Sequence, residues 1–150
     1  MSNKINIISS YNVNRDLGNS IRKILSGAFN GIGYNVNYYF TKDPEDAKKI
    51  KQINNDLVLI VANPKKINEL LKNFSKTNSI IFYNLESISC SPEYRNIISS
   101  AYNRFGAKGL WLYSENQLKY FNSLNSRFVP VGFDDSLICK DLTNRTIFNR

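Results

Sequence analysis

The chain predicts an α/β fold, a doubly wound parallel sheet of about six strands flanked by helices, and three observations carry that expectation. Short β-rich runs alternate with amphipathic segments along most of the sequence. The runs start roughly 20 to 30 residues apart, the rhythm of consecutive right-handed βαβ units. One run, Asp56-Leu57-Val58-Leu59-Ile60-Val61-Ala62, is nearly all apolar, as a central strand covered on both faces must be.

Taken in order, Lys4-Ile5-Asn6-Ile7-Ile8 forms strand one and breaks into the small polar residues Ser9-Ser10-Tyr11-Asn12. Leu17, Ile21, Ile24, Leu25 and Ala28 then recur at helical spacing, with Gly31 and Gly33 as stop signals. Tyr34 to Phe40 is strand two, rich in β-formers. Asp43-Pro44-Glu45-Asp46 starts helix two: Asp43 caps free amides, Pro44 has no amide to orphan, and the acids suit the positive end of the dipole. That helix is expected to reach about Asn54. After strand three, Asn63-Pro64 opens a helix with the inner stripe Ile67, Leu70, Leu71 and Phe74. Ser79 to Asn84 is strand four, and Ser91-Pro92-Glu93 caps a helix whose buried face is Tyr94, Ile97, Ile98, Ala101 and Tyr102. Leu110 to Tyr113 is strand five, followed by Ser114-Glu115-Asn116-Gln117, a capping-box pattern. Arg127 to Val131 is strand six. The pattern is Rossmann-like, and the expected strand order 3-2-1-4-5-6 opens a crevice at the carboxyl ends of strands one and four.

Size and composition allow one such domain. With 150 residues, 42% hydrophobic, the chain builds a core without metal or disulfide staples. Residues 1–135 are expected to form the domain and 136–150 an extension or the start of an interdomain linker. Neither a membrane-length apolar run nor a secretory signal is present, so a cytoplasmic location is expected. Cys90 and Cys139 are too isolated for a disulfide framework or a zinc spacing. The absence of histidine removes the commonest general base and metal ligand, leaving carboxylates and tyrosines for any chemistry. The formal charge of +8 favours anionic partners, but the lysines are spread over solvated helix faces. No nucleic-acid footprint is visible; peripheral contact with an acidic membrane surface fits the charge.

Polar residues at the carboxyl ends of the strands are the candidate ligand groups. These are Ser9, Ser10, Tyr11 and Asn12 after strand one, Asn63 after strand three, Asn84 and Glu86 after strand four, and Ser114 after strand five. Their hydroxyl, amide and carboxylate groups suit a polyhydroxylated ligand, although Ser and Asn also favour turns wherever they occur. Glu86 and Asp16 are the candidate catalytic carboxylates, although Asp16 reads first as a cap of helix one with a favourable dipole interaction. Two nucleotide-site patterns and a receiver domain are excluded. Gly27, Gly31 and Gly33 lie at the end of helix one, not between strand one and helix one where a dinucleotide fingerprint belongs. There is no GK[ST] phosphate loop, and Ser9-Ser10 and Ala62-Asn63 stand where a receiver domain needs acids.

Three stretches resemble the N-terminal domain of GT-B-fold glycosyltransferases. Ile80-Ile81-Phe82-Tyr83-Asn84-Leu85-Glu86 is similar to a strand followed by an Asn-Leu-Glu or Gln-Leu-Glu corner. Trp111-Leu112-Tyr113-Ser114-Glu115-Asn116-Gln117 is similar to a W-x-Y-S-x-x-N segment, and Val129-Pro130-Val131-Gly132-Phe133-Asp134 to the V-P-x-G-[YF] that closes that domain. The resemblance, covering about residues 4 to 135, implies an acceptor-binding half: the acceptor, a glycan or small molecule, held by Ser10, Tyr11, Asn84 and Glu86. The nucleotide-sugar donor would be bound by a second domain or chain, and no cofactor or metal by this domain. Without that second half the chain is expected to be inactive alone. Two alternatives remain open: a flavodoxin-like flavin or nucleotide binder using the loop after strand one, and a non-catalytic domain that binds a glycan or protein through the same rim.

Overall fold

The computed structural model describes residues 3–63, 66, 74, 78–86 and 91–130. The strands β1 (Asn3–Ser9), β2 (Tyr34–Phe40), β3 (Leu57–Val61), β4 (Ser79–Asn84), β5 (Gly109–Leu112) and β6 (Ser126–Phe128) form one 6-stranded sheet. Every pairing in it is parallel. The described helices are α1 (Asp16–Gly31), α2 (Pro44–Ile50), α3 (Pro92–Phe105) and a 3-10 helix, Glu115–Tyr120. The architecture is the Rossmann-like α/β fold that the alternating runs predict. The expected helix over Ile67, Leu70 and Leu71 lies outside the described residues, as do Cys90, Cys139 and the extension 136–150; Phe74 is described and buried.

The strand order is β2-β1-β3-β4-β5-β6, which corrects the expected 3-2-1-4-5-6. A single strand, β2, lies on the far side of β1, so the chain crosses back over β1 one strand sooner. The switch point therefore falls between β1 and β3. It is β3, not β4, that lies beside β1.

That path also decides which face each helix covers. Right-handed crossovers place the β1-to-β2 helix on one face and those of all later steps, which run the other way, on the opposite face. The core divides accordingly. Ile5, Ile7, Leu59, Val61 and Tyr83 pack with Ile21 and Leu25 of α1, whereas Ile8, Val58, Ile60, Ile80, Phe82, Leu110 and Leu112 pack with Ile50, Ile98, Ala101 and Phe105. The period-2 alternation within each strand produces this division. Beside α1, an apolar cavity of about 310 Å³ opens among Ile24, Phe29, Tyr83, Leu85, Trp111 and Val129.

The element ends have local causes. The Asp43 carboxylate accepts from the amides of Glu45 (2.9 Å) and Asp46 (3.0 Å), with Pro44 at the first helical position. α2 ends at Ile50, short of the expected Asn54. Gly106 terminates α3 in the left-handed region at φ 58°, a conformation that glycine adopts without Cβ strain. The segment after Ser114 departs from expectation. It is 3-10, and Ser114 makes no side-chain cap: the Gln117 amide donates to the Ser114 carbonyl, while the Gln117 side chain bonds Asn84 and the Glu86 carbonyl instead of closing a capping box.

The pairing of Tyr83 gives a first testable result. Its hydroxyl donates to the Val129 carbonyl at 2.9 Å, and burial pushes its pKa up to about 12. An unfolded tyrosine ionises near pH 10, so between about pH 10 and 12 the unfolded chain loses a proton that the folded chain keeps. Stability from this group is complete below pH 10 and is lost as pH rises through that window. Urea unfolding at pH 9 to 12 should show the decline, with a shallower slope in Tyr83→Phe.

Candidate functional site

The register of the sheet assembles the site. Ser9 aligns with Phe40 on one side and Val61 on the other, and Val61 aligns with Tyr83. The residues just beyond this common rung therefore share one rim: Tyr11 after β1, Lys42 after β2, Asn63 after β3 and Glu86 after β4. Side chains then close the distance that register leaves. The Tyr11 hydroxyl donates to Glu86 Oε1 at 2.8 Å, and Asn63 Nδ2 donates to the same oxygen at 3.2 Å. The corrected strand order puts Asn63 between the other two. Among the described residues, Glu86 Oε2 accepts no hydrogen bond.

The Glu86 backbone is clamped from below. Asn84 Nδ2 donates to the Glu86 carbonyl at 2.8 Å and Gln117 Nε2 donates to it at 2.9 Å. Asn84 Nδ2 also reaches Gln117 Oε1 at 3.2 Å, and Asn84 Oδ1 accepts from the Glu86 amide at 3.4 Å. Both amide side chains are buried, Asn84 at 3% and Gln117 at 2% exposure, so their hydrogen bonds form away from competing water. Buried amides must be paired, and here the pairing fixes where a half-buried carboxylate points. Gln117 is the residue that sequence reading assigned to a helix cap. Its signal was ambiguous because a polar residue three positions after a serine fits a cap as well as a long-range clamp.

On the other side, the loop after β1 is held just as tightly. Ser9 Oγ accepts from the Tyr11 amide at 3.1 Å and Ser10 Oγ accepts from the Asn63 amide at 3.0 Å. Asn12 Oδ1 accepts from the Asn14 amide at 2.9 Å, and the Asn12 carbonyl accepts from Arg15. Gly18 lets this loop sit against α1: a Cβ there would lie 2.0 Å from the Asn12 carbonyl oxygen. Burial, together with the hydrogen bond to Glu86 and its charge, holds the Tyr11 phenol far above its ordinary range. Tyr11 is therefore a neutral donor that orients Glu86, not a base.

The structure thus places the sequence candidates in distinct positions. Tyr11, Asn63 and Glu86 form the cluster, Ser10 and Asn84 hold its backbone, and Ser9 is fully buried behind it. Asn12 lines a neighbouring cleft of about 350 Å³ with Ser10, Tyr11, Arg15, Leu17, Gly18, Phe40 and Lys42. Ser114 is on the rim beyond β5 and accepts, through its carbonyl, from the Gln117 amide at 3.1 Å. Asp16 is exposed in the first turn of α1, one residue inside the N-cap Arg15, and none of the hydrogen bonds among the described residues ties it to the cluster. Lys42, expected with the other lysines on a solvated helix face, lies instead in the turn between β2 and α2, and Arg15 carries no site expectation from the sequence.

Chemically, a fixed carboxylate with one oxygen uncommitted among the described residues, bordered by hydroxyl and amide groups, can accept hydrogen bonds from a polyol or receive a proton. Among the described residues no group of three or more acidic or cysteine side chains is placed to hold a metal, and no helix is long and apolar enough to cross a membrane. Comparison with protein-family models, curated proteins and solved structures finds no match to this chain.

Proposed function

We propose that this chain is the acceptor-binding half of a GT-B-type glycosyltransferase, with Glu86 receiving the acceptor hydroxyl at the switch point. The observation that supports this reading is the shared hydrogen bonding of Glu86 Oε1 by Tyr11 and Asn63, with Oε2 bonded by none of the described residues. Sugars are recognised by planar polar side chains with fixed directions, and this carboxylate is held by Tyr11 and Asn63 on a backbone clamped by Asn84 and Gln117. In transfer, the acceptor oxygen forms a bond to the anomeric carbon of a nucleotide sugar. The bond from that carbon to the nucleotide phosphate breaks, and the acceptor proton passes to Glu86 Oε2. The donor would be held by a second domain or chain. A fluorescent full chain applied to a glycan array should retain a defined set of sugars and lose them in Glu86→Ala. Retention by neither protein, or equal retention by both, would overturn the assignment.

A second reading has its own observation. The order 2-1-3-4-5 with a switch point between β1 and β3 is that of flavodoxin-like proteins, whose flavin mononucleotide sits at that switch point. Titration with flavin mononucleotide decides: quenching of flavin fluorescence with about micromolar affinity favours this reading, while unchanged fluorescence at about millimolar protein leaves the acceptor role.

A further inference from the structure

The cleft beside Tyr11 has a charge pattern that the cluster at Glu86 does not explain. Two of its lining residues are cations, Arg15 at the start of α1 and Lys42 after β2, and none is acidic. They come from different elements, brought to one edge by the parallel pairing of β1 and β2. Both side chains are exposed, and among the described residues neither takes part in an ion pair, whereas Lys4, Lys48 and Lys49 all do. The rest of the wall includes Ser10, Tyr11 and Asn12. Tyr11 therefore belongs to both places: it lines the cationic cleft, and its hydroxyl donates to Glu86.

We propose that the ligand of this rim is a phosphorylated sugar, its phosphate held between Arg15 and Lys42 and its hydroxyls directed past Tyr11 toward Glu86. The inference rests on the acceptor reading and narrows its substrate class. An arginine offers a planar fork that matches two phosphate oxygens, and a lysine supplies a second, adaptable charge. The volume suits a monosaccharide phosphate, since small-ligand sites begin at about 300 Å³. A carboxylate at Glu86 and cations at the other end also fix polarity, because a phosphate placed against Glu86 would be repelled.

Isothermal titration calorimetry on the full chain tests this with a panel of hexoses, their 1-phosphates, a uronic acid and inorganic phosphate. A hexose 1-phosphate should bind at least about tenfold more tightly than its parent hexose, with the advantage shrinking as salt rises from 20 to 300 mM. Arg15→Gln and Lys42→Gln, both at exposed positions, should each reduce that advantage about three- to tenfold. Glu86→Gln should weaken hexose and hexose phosphate together. Equal binding of hexose and hexose phosphate would overturn the phosphate assignment while leaving the acceptor reading intact. Preference for the uronic acid over the phosphate would overturn it in favour of a carboxylate ligand. Binding of inorganic phosphate with no sugar bound, or no binding by any probe, would remove both.

Discussion

Replacing Gly18 with alanine should destabilise the protein by about 3 kcal/mol, a drop in Tm of about 6–12 °C for a chain of this size. Two effects oppose each other at this position. Alanine gains about 1 kcal/mol over glycine in a helix interior. Against that, the new Cβ would lie 2.0 Å from the Asn12 carbonyl oxygen and 2.4 Å from its carbon, both backbone atoms that cannot rotate aside. The loop must lift, and with it Tyr11 and Asn12. Ligand binding at the rim should therefore weaken along with stability. Gly31 supplies the contrast, because nothing lies within 4 Å of a Cβ there, so Gly31→Ala should be neutral or slightly stabilising. Thermal melts of the two variants check the pair, and equal melting temperatures would mean that the loop does not press on α1.

The other large effect is expected at Gln117. Gln117→Leu keeps the bulk at a site 2% exposed but removes the donor to the Glu86 carbonyl and the acceptor for Asn84 Nδ2. Leaving buried polar groups short of partners costs about 1–3 kcal/mol. Because Asn84 and Gln117 hold the same carbonyl, Asn84→Ala and Gln117→Leu should be non-additive, the double variant losing clearly less than the sum of the singles. Urea denaturation of the four proteins in the cycle measures this. Simple additivity would show that the two amides do not form one clamp.

How much of this was legible in the sequence follows from the range of each interaction. Helix starts such as Asp43-Pro44 and stops such as Gly106 are decided by a few adjacent residues, so they could be read directly. The alternation of Ile7, Ile8, Leu59 and Ile60 between two cores follows from strand periodicity alone. Strand order is different, since it depends on which way a connection crosses the sheet, and the run after Phe40 carries no mark of that choice. The observed order sets β3 next to β1 and so brings Asn63 from the rim into the cluster. Tyr11 and Glu86 were legible as rim residues, but not as partners 75 positions apart in sequence. Gln117 reads locally as a cap, and Arg15 and Lys42 as surface residues, because only tertiary register brings the first to the Glu86 backbone and the other two to one cleft.

The central claim is that the carboxyl edge at the β1/β3 switch point is where this protein meets its ligand. Amide chemical-shift mapping of the isotope-labelled full chain, titrated with the tightest-binding sugar phosphate of the panel, addresses it most directly. The account predicts the largest shifts at Ser10, Tyr11, Asn12, Asn63 and Glu86, with β1 and β3 unchanged at their amino ends. Shifts centred instead on Phe29, Trp111 and Val129 around the apolar cavity, or on the opposite edge near Asp56, would contradict it.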